Sequence, residues 1–185
     1  MDGNRRLEEK FLSRKVVYQG RSYEFCIDDV ELPNGKNAVR ELVKHPGGVA
    51  ILALDADGNV LMEEQYRYAI HQVFHEIPAG KMDKIPGEEP LDAAKRELRE
   101  ETGRVADYWK YLGKIYPSPG IVSEVLYLYL ARELHMEERE LDSDEFIDVE
   151  LVELGRLKEK IASGEISDCK AIAAVALAQL QGEIG

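Results

Sequence analysis

Apolar and polar positions alternate in short runs from Lys15 to Val43, with Val16-Val17-Tyr18 and Tyr23 to Val30 interrupted at Gln19-Gly20 and at Pro33-Asn34-Gly35. Alternation puts successive side chains on opposite faces, and turn residues between the runs join neighbours, so the segment predicts antiparallel strands and hairpins. Val49 to Leu54 and Val60 to Glu63 predict two more strands, and Asp57-Gly58 between them predicts a second hairpin or meander. Val73 to Ile77 predicts a further strand, followed by a Gly- and Pro-containing loop from Pro78 to Glu89.

The pattern then changes period. Pro90 to Thr102 predicts a helix: Pro90 suits the first helical position, where its missing N–H costs nothing, and Gly103 suits the left-handed position just past the end. Leu91, Ala94 and Leu98 recur at helical spacing as the buried stripe, which leaves the acidic residues to the opposite face. Strands are predicted over Tyr108 to Tyr116 and Val122 to Glu133, around the loop Pro117 to Gly120, and over Phe146 to Leu151. Two helices close the chain, one from about Leu154 to Ala162 ending at Gly164, the other capped by Ser167 and running to about Gln181. Strands, a helix, more strands and terminal helices imply an α+β fold with a mixed central sheet between helices, an α/β/α arrangement, preceded by a small antiparallel β element.

A chain of 185 residues with 44% hydrophobic content buries a real core and suits one domain with a small appendage, here residues 45–185 with the element 1–44. Its longest apolar runs fall far short of the roughly 20 residues that cross a bilayer. The charged start, Met1 to Lys10, lacks the apolar core of a secretory signal, so a cytoplasmic protein with no membrane partner is expected. Cys26 and Cys169 have no close Cys or His neighbours and read as buried thiols. A net charge of -12 argues against a nucleic-acid partner, because phosphate backbones need clustered Lys and Arg. The plain reading of that charge is an acidic surface, and an anionic small substrate stays open if metal ions supply the positive charge.

Glu97, Glu100 and Glu101 stand at i, i+3 and i+4, so their carboxylates leave a helix on nearly one face. Like charges at that spacing cost roughly 0.2–0.5 kcal/mol per pair. Two readings offset the repulsion: a solvated face with Arg96 and Arg99 as neighbours, or hard divalent cations such as Mg²⁺, which take oxygen ligands and sit between carboxylates and phosphates.

The run Arg96-Glu97-Leu98-Arg99-Glu100-Glu101-Thr102-Gly103, with Glu88 eight positions before Arg96 and a glycine-containing loop at Gly80, resembles the signature of the Nudix hydrolases. Two departures stand out. Seven residues separate Gly80 from Glu88 where the family pattern has five, implying a longer loop, and Arg104 takes a usually aliphatic position. Neither removes a carboxylate. The resemblance implies a Nudix-type sandwich in which Glu97, Glu100 and Glu101, with the backbone carbonyl of Ala79, bind Mg²⁺ or Mn²⁺. It also implies that Glu88 holds Arg96 in a structural ion pair, and that Gly80 and Gly103 serve the motif's shape. Bound cations would neutralise a diphosphate, polarise a P–O bond and lower the pKa of an attacking water.

That motif reports a reaction on pyrophosphate and says little about the groups attached to it. Pro119, sixteen residues after Gly103, resembles the proline that marks the ADP-ribose pyrophosphatase branch, although a rigid turn explains it equally. Glu64-Gln65-Tyr66-Arg67-Tyr68, Glu76-Ile77-Pro78-Ala79-Gly80 and Gly164 to Lys170 resemble other stretches of the same branch, which extends the similarity over roughly residues 15 to 180. It implies hydrolysis of ADP-ribose to AMP and ribose 5-phosphate. Arg40 and Arg67 are candidates to grip phosphate or ribose through paired donors, or are surface arginines. Glu145, in the acidic loop Asp142-Ser143-Asp144-Glu145, is the candidate catalytic base, with Glu100 as the alternative. Tyr18, Tyr23 and Phe25 offer π faces for adenine, or pack in the core. Related enzymes exchange this N-terminal sheet across a homodimer, so residues 1–44 are expected to serve dimerisation and to form part of the substrate pocket. Other nucleoside diphosphate sugars, dinucleoside polyphosphates and flavin dinucleotides share the scissile bond, and a catalytically silent nucleotide-binding protein is the alternative outside enzymes.

Overall fold

The computed structural model describes residues 5–185, which fall into two compact units: the chain up to Gly47 with Tyr116–Glu124, and Gly48–Ile115 with Val125–Gly185. In the first unit, β1 (Lys10–Gln19), β2 (Glu24–Glu31) and β3 (Asn37–Lys44) form an antiparallel meander in that order. Gly35, at φ 81°, supplies the left-handed residue of the β2–β3 turn. Strand β1 starts five residues before the alternation of its sequence indicates. Register shifts between Phe11 and Ser13 and between Val16 and Tyr18 interrupt the period-two pattern there, and every residue of the strand is exposed. Cys26, Asp28 and Val30 form the buried face of β2. Arg14 donates to both carboxylate oxygens of Asp28 at 2.7 and 2.6 Å. The segment 116–124 joins this unit by a parallel bridge between Val43 and Val122.

The second unit holds the larger core. Strands β4 (Gly48–Ala53), β7 (Ala79–Lys81), β8 (Arg104–Ile115) and β9 (Leu126–Met136) form a mixed sheet in the order β7-β4-β9-β8, with β4 and β9 parallel. Strands β5 (Asn59–Arg67), β6 (Gln72–Glu76) and β10 (Ile147–Glu153) form an antiparallel sheet in the order β10-β5-β6. The helices are α1 (Pro90–Thr102), α2 (Leu154–Ser163) and α3 (Cys169–Leu180). Strand β4 is buried along its whole length because both of its faces are covered. Val49 and Ile51 pack with Ala94 and Leu98 of α1, whereas Ala50 and Leu52 pack with Leu157 of α2 and Ala171 and Ala174 of α3. The result is an α/β/α sandwich.

Four sequence expectations are corrected. Strands β4 and β5 do not form a hairpin: they share one bridge, Leu54 to Val60, and then enter different sheets, since β4 takes its long partner from β9. Asp168, not Ser167, caps α3, because its carboxylate accepts from the N–H groups of Lys170 and Ala171, both at 3.2 Å. Cys26 is buried but Cys169 is exposed in the first turn of that helix. The acidic residues of α1 do not all lie opposite its apolar stripe, for Glu97 and Glu101 are buried beside Ala94 and Leu98. No helix among the described residues is long and apolar enough to cross a membrane.

Candidate active site

Helix α1 is laid onto the sheet by Ala93, Ala94 and Leu98, and it ends where Gly103, at φ 63°, donates its N–H to the Arg99 carbonyl at 2.9 Å. This docking carries Glu97 and Glu101, each 5% exposed, against the backbone of β7. The Ala79 N–H donates to Oε2 of Glu101 at 3.0 Å. At Gly80 the backbone lies flat on the Glu97 carboxylate, leaving no room for a Cβ.

Arg96 organises the acidic face. Its Nε and Nη2 donate to the two oxygens of Glu88 at 3.0 and 2.9 Å, and its Nη1 donates to Glu97 at 2.7 Å and Glu100 at 3.1 Å. The planar fork of a guanidinium makes such a three-way contact feasible. Lys84, from the loop between β7 and α1, lies 2.9 Å from both Glu100 and Asp142, and so links that loop to the 142–145 turn. In that turn Glu145 donates its N–H to the Asp142 carbonyl at 3.0 Å and accepts from the Asp142 N–H at 3.2 Å. Arg139 donates to the carbonyl oxygens of Glu101 and Ile147, tying the same segment to the end of α1.

Burial raises the carboxyl pKa of Glu97, against the pull of Arg96. Glu101 is raised well above the ordinary range by burial and by the charges of Glu63 and Glu97, with Glu145 adding to them and the Ala79 N–H opposing. Glu63 on β5 is likewise pushed up by burial and by Glu76, its partner across the β5–β6 pair. Glu76 behaves differently. Burial would raise it, but Arg67 at 2.6 Å and Lys170 at 2.7 Å outweigh that and leave it depressed. Lys170 also bonds Asp168 at 2.7 Å, so the strand that leads into β7 is locked to the start of α3.

Ala79, Gly80, Glu88, Arg96, Glu97, Glu100, Glu101 and Gly103 thus form one continuous structure, with Glu145 close enough for its charge to act on Glu101. Arg67 belongs to the same unit and also senses Glu101. Arg40, Pro119, Tyr18, Tyr23 and Phe25 belong to the other unit. There Arg40 pairs with Glu9, Tyr18 and Pro119 are exposed, Tyr23 rests 5.2 Å from the His45 ring and Phe25 is half-buried. Sequence reasoning missed Glu63, Lys84 and Arg139. Only Glu63 leaves a local signal, an acidic residue in phase with Leu61 on the inward face of a strand. On the outward face, Glu64, His75 and Glu150 bring two carboxylate oxygens and an imidazole nitrogen within 4.8 Å of one another in a partly exposed group.

The family model described as NUDIX domain matches residues 44–173. The chain belongs to the Nudix hydrolases. This Nudix chain is 42% identical over 177 residues to the ADP-ribose pyrophosphatase of Bacillus subtilis (strain 168), covering 95% of each protein. It is 40% identical to the methanol dehydrogenase activator of Bacillus methanolicus, with 94% of each covered. Its fold matches the crystal structure of an ADP compounds hydrolase with a TM-score of 0.81 at 23% identity, over 96% of this chain and 97% of the other. As a Nudix protein it is expected to use divalent cations, and the donor chemistry fits: Glu97, Glu100 and Glu101 supply only hard carboxylate oxygens. Among the described residues, the Glu101 carboxyl accepts its hydrogen bond from the Ala79 N–H alone, and a carboxylate buried with so little support is stabilised by a cation beside it.

Proposed function

We propose that this Nudix hydrolase cleaves the pyrophosphate of ADP-ribose to AMP and ribose 5-phosphate, with Mg²⁺, or Mn²⁺ in its place, held by Glu97, Glu100, Glu101 and the Ala79 carbonyl. The observation that carries the metal assignment is the burial of Glu97 and Glu101 side by side on one helix turn, both raised in pKa. The choice of ADP-ribose draws its support from the Bacillus subtilis relative. When bound, divalent cations neutralise the diphosphate, polarise the bridging P–O bond and make water a better nucleophile.

The chain's own groups divide the remaining work. Glu145 accepts the proton of the attacking water as its oxygen bonds to phosphorus and the bridging P–O bond breaks, with Glu100 as the alternative base. Half-burial and a turn closed by Asp142 suit Glu145 to that task. Arg67, half-exposed and anchored by Glu76, presents donors for phosphate or ribose, and Arg40 and Pro119 are assigned to substrate from the N-terminal unit. Glu88 and Arg96 keep Glu97 and Glu100 in place.

Residues 1–44 are proposed as the dimerisation element beside a hydrolase domain of 45–185, with Tyr18, Tyr23 and Phe25 offered to adenine. The exposure of Phe11, Leu12, Val16 and Val17 on β1 supports a homodimer, because exposed apolar residues gathered on one strand favour a partner surface. Sedimentation should give twice the chain mass. The substrate assignment is tested by kcat/KM across ADP-ribose, other nucleoside diphosphate sugars, dinucleoside polyphosphates and flavin dinucleotide. ADP-ribose is expected to lead by at least about tenfold, roughly 1.4 kcal/mol of transition-state discrimination. A different leader would reassign the substrate, and nucleotide binding without cleavage of any member would remove the enzymatic reading.

A further inference from the structure

Glu63 faces α1, because Leu61, two positions earlier on β5, packs with Ala94 and Leu98. Glu101 lies one helical turn beyond Leu98, and Glu63 is the neighbouring charge that acts on it most strongly. The Glu63 side chain is 2% exposed, and its Oε1 is buried without a hydrogen-bond partner. The cations that act on it are engaged with other groups: Arg67 and Lys170 bind Glu76, and Arg139 donates to the carbonyls of Glu101 and Ile147. A carboxylate in such a place is costly unless a positive charge answers it. An apolar residue would fit the inward phase of the strand at no such cost.

We propose that Glu63 is a further carboxylate of the divalent-metal centre, acting from β5 on the cation held by Glu97 and Glu101 or on that cation's water shell. The inference rests on the metal-dependent reading above and adds a strand residue to a centre otherwise built from α1 and the β7 backbone. It explains the orphaned oxygen, which accepts no hydrogen bond from the described residues. It also accounts for the placing of Glu63 beside Glu101, two buried carboxyl groups with which no described arginine or lysine side chain forms an ion pair.

Metal-free wild type, Glu63→Gln, Glu63→Leu, Glu101→Gln and Glu64→Gln should be titrated with Mn²⁺ by calorimetry, and each apoprotein melted. Both Glu63 variants are expected to bind Mn²⁺ at least about tenfold more weakly, a loss of roughly 1.4 kcal/mol. Their apoproteins should melt no lower than wild type, because a buried carboxyl group with an unpartnered oxygen has gone. Glu64→Gln, on the outward face, should bind as wild type does. The leucine variant decides the matter if the glutamine variant does not fold. Wild-type Mn²⁺ affinity in the Glu63 variants with lost affinity in Glu101→Gln would overturn this inference alone. Retained affinity in Glu101→Gln as well would overturn the metal centre itself. A lower apoprotein melting temperature in both Glu63 variants would assign the residue a structural role and also sink the proposal.

Discussion

A methyl group on Gly80 would lie 1.9 Å from Cδ of Glu97, and 2.2 and 2.3 Å from its two oxygens. The requirement for glycine is therefore spatial: β7 approaches the helix so closely that only a bare backbone fits. Glu97 has little freedom to yield, being buried and bonded to Arg96 at 2.7 Å. Gly80→Ala is expected to cost about 1–3 kcal/mol of stability by overpacking. By moving Glu97, it should lower kcat/KM about 100-fold or more. Denaturant unfolding and steady-state kinetics on the same preparation check both effects.

Arg96 meets three glutamates at once. A lysine keeps the charge but cannot grip both oxygens of Glu88 while reaching Glu97 and Glu100. Arg96→Lys should cost about 2 kcal/mol, the worth of a hydrogen bond to a charged group that is left unmade. It should lower kcat more than it changes KM, because it disorders carboxylates and not substrate contacts. Thermal melts and full saturation curves would reveal an unaffected variant, which would reduce Arg96 to a surface charge.

Glu76 links Arg67 to Lys170 beneath the site, and its pKa lies below the ordinary 4.5. Glu76→Gln should destabilise the fold by about 3 kcal/mol at neutral pH, since it leaves Lys170 and Arg67 short of a buried partner. A depressed folded-state pKa contributes stability that is present above the unfolded value and lost as pH falls through the folded one. The gap between wild type and variant should therefore be constant at neutral pH, begin to close below about 4.5, and vanish in stronger acid. Urea unfolding across that range measures it, and a gap that widens with acid would contradict the assignment.

Much of the site was legible in the sequence because its chemistry is local. Glu88, Arg96, Glu97, Glu100, Glu101 and Gly103 lie on one loop and one helix, where spacing fixes their mutual positions. Helix α1 and its caps follow from Pro90 and Gly103 for the same reason. What escaped depends on pairing across the chain. Nothing in the run Val49 to Glu63 says that β4 takes β9 as its parallel partner in place of β5, and a turn such as Asp55 to Asn59 serves either outcome. Glu63 and Arg139 reach the site from a strand and a loop distant in sequence from α1, and Lys84, though in the loop that adjoins α1, is bound there to Asp142 from far along the chain, so only folding reveals their place. Asp168 displaced Ser167 as the α3 cap because it also bonds Lys170, which reaches back to Glu76.

The central claim is that buried glutamates of α1 hold the cations that act on a diphosphate, and Glu101→Gln tests it most directly. Release of AMP and ribose 5-phosphate from ADP-ribose should be followed in wild type and variant, with Mg²⁺ and with a chelator. Wild type should turn over only with Mg²⁺. The variant, with circular dichroism unchanged, should lose at least about a thousandfold, some 4 kcal/mol of barrier. Turnover by wild type in chelator, or near-normal turnover by Glu101→Gln with Mg²⁺, would contradict the account.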